Sequence, residues 1–114
     1  MKETLKLKNP IEINGKAVQD LTYDIELITP EMFAQANALK MKACGATNIS
    51  GATAELDFTF HLYLGCAAII ACNPEIDYTD LLRVTGRDVN AIMQVGRSFF
   101  FDAGDSPESS SDEP

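Results

Sequence analysis

His61 is the only histidine in this 114-residue chain, and Asp57 stands four residues before it. On a helix that spacing puts both on one face. Cys66 and Cys72 follow, so a Cys/His/Asp nucleophile system is the first chemistry to test. It does not assemble on one element. Cys66 lies five residues after His61, about 140° around a helix, so a single straight helix cannot bring the three together. The better reading is an Asp57–His61 pair near a helix start and two thiols in a core, where free cysteine is usually found. Cys44, Cys66 and Cys72 form no CxxC pair, and one histidine with three scattered cysteines has no zinc-ligand spacing. Residues 73–80, NPEIDYTD, are rich in oxygen but lack the alternating ligands and central glycine of a calcium loop. Neither a phosphate-binding Walker sequence nor GxGxxG is present. The sequence thus predicts no catalytic, metal or cofactor site and a chain that is not an enzyme.

What remains is apolar. Phe99, Phe100 and Phe101 are consecutive. Neighbours on a helix are about 100° apart, so the three cannot all face one core. Either at least one sits at a surface or partner interface or the helix end frays and folds back; on the first reading they are, together with Met93, the candidate partner-binding residues. Met32, Met41 and Met93 would make such a surface adaptable, although methionine more often fills a core. The seam between the first and central helices is a further candidate groove.

These residues depend on the stretch from Thr53 to Cys72, TAELDFTFHLYLGCAAIIAC. Residues 57–64 alternate like a strand, while the Ala-rich second half does not. Its length favours one helix, with Thr53 as N-cap, Glu55 and Asp57 in the first turn, and Pro74 as the stop. A helix apolar nearly all round is a buried one. Asp57 and His61 interrupt it, and it falls short of the roughly 20 apolar residues of a bilayer span.

Before it, Leu5 and Leu7 alternate with Lys6 and Lys8, and Ile11 and Ile13 flank Glu12. That is a strand with one face in, and Pro10 makes it an edge strand or a bulged one. Asn14-Gly15 predicts a hairpin turn. Residues 16–27 form the return strand, and the step from Val18 to Leu21 predicts a bulge or bend near Gln19 and Asp20. Thr29-Pro30-Glu31 opens the first helix, with an apolar stripe of Met32, Phe33, Ala36 and Leu39. Lys40 and Lys42 suit its negative pole, and Gly45 suits its stop. After Pro74, Thr79 caps a short turn holding Leu81 and Leu82. Thr85 with Asp88 resembles a capping box for the last helix, which carries Val89, Ile92, Met93, Gly96, Phe99 and Phe100 and ends near Phe101.

The expected architecture is α+β: an N-terminal β-hairpin, three main helices and a short helical turn in a single domain over residues 1–101. Residues 102–114, DAGDSPESSSDEP, are an acidic Ser/Pro-rich tail expected to be disordered. Net charge is −8, from 9 basic and 17 acidic residues. Five of the acidic residues lie after Phe101, and without them 12 acidic residues face 9 basic ones. The folded part is mildly acidic and has no basic excess to track a nucleic-acid backbone. An acidic excess held in a tail also argues against a rigid DNA mimic. The N-terminus lacks an export signal's apolar core, and the odd cysteine count fits a reducing compartment.

The series LKLKNPIEINGKAVQDLTYD, a Thr-Pro-led helix, an Ala-rich middle helix and a closing TGRDVNAIMQVGRSFF resembles the tail assembly chaperones of long-tailed bacteriophages. The resemblance covers residues 5–101, and PIEINGKAV followed by DLTY is its most family-like part. Its motifs are hydrophobic and topological. It implies a prophage or phage protein of the host bacterial cytoplasm that coats the tape-measure protein, keeps it soluble and helps recruit tail-tube subunits. It also implies, as in many such genes, a longer frameshifted product. The alternative is a small structural tail or connector component that stays in the virion. The hairpin, with a free edge, is a place for homo-oligomer formation; neither nucleic acid nor a membrane is an expected partner.

Overall fold

Asn14 and Gly15 turn the chain with φ of 54° and 82°. Two successive positive values suit the right-handed twist of a hairpin, and Asn-Gly tolerates them best. The computed structural model describes residues 2–43 and 58–101. In it the turn joins β1 (Glu3–Ile13) to β2 (Lys16–Tyr23) in a two-stranded antiparallel sheet. The return strand is shorter than its apolar pattern predicts. Residues 25–27 form a 3-10 turn instead, capped by the Asp24 carboxylate, which accepts from Glu26 N at 3.0 Å.

The ladder has two halves. Glu3 to Lys6 pair with Tyr23 to Asp20, and Ile11 to Ile13 pair with Val18 to Lys16. Between them Leu7, Lys8, Asn9 and Pro10 face Gln19 alone. The irregularity therefore lies opposite Gln19, as expected, but the surplus residues are on β1. Pro10 explains this, because it has no N–H to offer a ladder. Gln19 Nε2 donates to Leu7 O at 3.0 Å and partly fills the gap.

Thr29 caps α1 (Pro30–Ala43), its hydroxyl accepting from Met32 N at 3.1 Å. The central helix is α2 (Phe58–Cys72). As the length of the apolar run predicts, residues 58–72 form one helix despite the strand-like alternation of its first half. The expected cap and first turn at Thr53, Glu55 and Asp57, and the stop at Gly45, lie outside the described residues. At the other end Asn73 holds α2 to the hairpin. Its Nδ2 donates to Ile69 O at 2.8 Å and to Thr22 O at 2.9 Å.

A four-residue helix α3 (Tyr78–Leu81) follows. Asp77 caps it, not Thr79: the Asp80 carboxylate accepts from Asp77 N at 3.0 Å, and Thr79 Oγ1 donates to Asp77 Oδ2 at 2.9 Å. Then comes α4 (Arg87–Phe101). The Thr85–Asp88 capping box is replaced by a longer-range contact. Asp88 is 1% exposed, and its two oxygens accept from Lys8 N at 2.8 Å and Asn9 N at 2.9 Å. These are amides that the interrupted ladder leaves over. The chain is thus α+β, a hairpin followed by three main helices and a short helical turn.

The core has two parts. In one, Leu7, Ile11, Ile13 and Leu21 of the hairpin meet Cys66 and Ile69 of α2, Leu81 of α3 and Ile92 of α4. In the other, Ala36 of α1 meets Phe60, Tyr63 and Leu64 of α2. The helix α2 belongs to both. It crosses α4 closely at two glycines. A Cβ on Gly65 would strike the Ile92 carbonyl oxygen, and one on Gly96 would strike the His61 carbonyl and lie 2.7 Å from Gly65 N. Only a residue without a side chain allows that approach.

Candidate partner-binding surface

The residues that offered chemistry are inside the molecule. Cys66 is fully buried, and burial pushes its thiol up to about 12, where it is not a nucleophile at neutral pH. Cys72 is half-buried. His61 is fully buried, its ring 5.4 Å from that of Phe100 and 6.0 Å from that of Phe58. The proposed partner Asp57 lies outside the described residues, as does Cys44. Among the described residues, no group of three or more His, Cys, Asp or Glu side chains is placed to hold a metal ion.

The phenylalanine triple divides as helical spacing demands. Phe100 turns inward and packs on Phe60 at 6.1 Å and Phe33 at 6.4 Å. Phe99 and Phe101 stay outside, 37% and 45% exposed. Phe99 stacks 5.6 Å from Phe33, at the α1 side of the helix. The Arg97 guanidinium lies 4.9 Å from the Phe101 ring, a cation–π contact that keeps the ring on the surface. Phe58, at the first described turn of α2, is 58% exposed. Beside it Met93 is half-buried and lines a small cavity of about 50 Å³ with Phe58, His61, Asn90, Gln94 and Arg97. Phe99 and Phe101 therefore reach the surface on different sides of the C-terminal end of α4, about 200° apart, while Met93 is half-buried at the middle of the helix and Phe100 packs inward between them.

Among the described residues, the seam between the first two long helices is filled by packed side chains. Phe33 and Phe60 meet edge to face at 5.1 Å, and Ala36 and Leu64 are fully buried there. Lys40, assigned from sequence to the helix pole, is also buried at this seam, its Nζ 5.9 Å from the Phe60 ring. Met32 and Met41 are half-buried on α1.

Two placements escaped the sequence. Asp88 was indistinguishable from a local cap, since a carboxylate three residues into a helix start reads the same whether its acceptors serve the helix or a distant strand. The glycines did carry a signal: Gly65 and Gly96 interrupt helical patterns, where glycine costs stability unless close packing requires it.

No family model matches the chain, and no curated protein or solved structure matches it either. Among the described residues, no helix is long and apolar enough to cross a membrane.

Proposed function

We propose that this protein is a non-enzymatic chaperone of phage tail assembly, working in the host bacterial cytoplasm, that binds the tape-measure protein and helps recruit tail-tube subunits around it. The observation that carries the reading is the exposure of Phe101 and Phe58, joined through Arg97 and half-buried Met93, and of Phe99 on the α1 side of α4, around the buried ring of Phe60 and the half-buried rings of Phe33 and Phe100. Large aromatics with a rigid aromatic floor anchor protein partners well. The likeness of residues 5–101 to tail assembly chaperones supplies the partner: a long helical protein with apolar stripes, taken by a helix-packing surface.

The test is a pull-down with tagged protein from cells expressing the phage structural genes, with bound chains identified by mass. Native protein recovers the tape-measure protein, and the double substitution Phe99→Ser with Phe101→Ser loses it while keeping the native melting temperature. Recovery of neither tail protein, with the chain present instead in finished particles, replaces this reading with that of a virion tail component.

A further inference from the structure

One exposed face of α4 carries both cations of that helix. Arg87, Asn90, Gln94, Arg97 and Phe101 recur at spacings of three and four, so they form one stripe, and all of them are exposed. Asp88, the one carboxylate of α4, is turned away and buried against β1. Among the described residues neither Arg87 nor Arg97 has a carboxylate within ion-pair distance, whereas Arg83 has Asp80 at 3.6 Å. The stripe is therefore positive on a chain of net charge −8. It is hollowed at one end, where Gln94, Arg97, Ser98 and Phe101 line an open depression of about 340 Å³.

We infer that residues 102–114 of the same chain lie back along this stripe, with Asp105 at Arg97 and with Asp112 and Glu113 at Arg87. Charge, starting point and length select this occupant. The segment carries five carboxylates and no basic residue, and it leaves α4 at Phe101, one turn beyond Arg97. The last turn of α4 has no basic residue to offset its negative pole, so the carboxylates that follow are better placed beside Arg97 than at the pole. Gly104 permits the reversal. Arg87 lies about 21 Å back along the helix from Phe101, and eight or nine extended residues past Gly104 cover about 25–28 Å, which brings Asp112 and Glu113 level with it. With no large apolar side chain to bury, the segment is held by charge and covers Phe101 without extending the core. A second copy of α4 would set arginine against arginine, and two arginines are too few to track a nucleic-acid backbone. The inference does not depend on which partner the surface takes; where the tape-measure reading also holds, tail and partner compete for one stripe.

Proton–nitrogen correlation spectra of the full chain, with no partner added, test it. Replacing the five carboxylates by amides (Asp102→Asn, Asp105→Asn, Glu108→Gln, Asp112→Asn and Glu113→Gln) shifts the Nε–H peaks of Arg87 and Arg97. The Arg83 peak stays, because Asp80 and the Glu12 carbonyl hold that side chain. Conversely, Arg87→Gln with Arg97→Gln shifts the backbone amides of Asp105, Asp112 and Glu113. Both arginines are exposed, so the variants keep the native melting temperature. Both sets of shifts vanish in about 1 M salt, where charges are screened beyond about 3 Å. They persist on dilution from about 1 mM to about 50 µM, because a contact within one chain is set by its linker and not by concentration. Shifts that fade on dilution, together with a doubled sedimentation mass, place the tail on a second copy and overturn the inference. Arginine peaks indifferent to the neutral tail overturn it as well; if Asp57→Asn then moves the Arg97 peak, that carboxylate is its partner instead.

Discussion

Replacing Asp88 with alanine removes both acceptors from Lys8 N and Asn9 N while leaving α4 its own backbone bonds. The two amides sit where the ladder is interrupted, and the neighbouring Pro10 offers no alternative pairing. An unsatisfied buried amide costs about 1–3 kcal/mol. These two are partly buried, so we take the lower half of that range for each and expect a loss of about 2–4 kcal/mol. Removing one negative charge from an acidic chain acts in the opposite direction, so a loss of this size cannot be a net-charge effect. Asp88→Asn keeps the shape and one acceptor oxygen and falls between alanine and native. Urea unfolding measures it: at a slope of about 1–1.5 kcal/mol/M the alanine midpoint drops by roughly 1.3–4 M, with the slope unchanged. Amide exchange supplies the local readout, because Lys8 and Asn9 lose protection first. If Asp88→Ala stays within about 0.5 kcal/mol of native and those amides exchange as before, the carboxylate does not hold the hairpin to α4, and the account of the interrupted strand fails.

Three other expectations follow from the same packing. Gly96→Ala gains about 1 kcal/mol in helix propensity but drives a Cβ into the backbone of α2, so the net effect is a loss of about 2 kcal/mol or more, read as a lower thermal midpoint. Gly15→Ala, at φ 82°, costs about 1 kcal/mol, whereas D-alanine introduced there by chemical synthesis is neutral or stabilising; equal losses for the two enantiomers would contradict the turn geometry. Burial raises Cys66 from 9.0 and Tyr78 from 10.0, each to about 12. The unfolded chain therefore releases these protons first, and stability falls as pH rises from about 9 towards 12, by up to about 1.4 kcal/mol per pH unit for each group titrating. Cys66→Ala should flatten the part of that decline that begins near pH 9, as followed by urea midpoints across the range.

Much of the architecture was legible because it is local. Asn14-Gly15 specifies a turn through backbone sterics, Thr29-Pro30 a helix start through capping, and Pro74 a helix stop through a missing donor. None of these needs a distant partner. The division of the phenylalanine triple was likewise implied by the helical repeat, although which ring turns inward was not. What the tertiary structure decided are the contacts between residues far apart in sequence. Asp88 reads as a cap until β1 arrives beside it with two surplus amides. Lys40 reads only as a charge suited to the helix pole until the fold buries it beside Phe60. Residues 58–64 alternate like a strand, and it was the length of the apolar run up to Pro74 that already pointed to the helix observed. Local pattern records the sterics of a few residues, whereas burial and hydrogen-bond satisfaction depend on which distant elements come to lie against them.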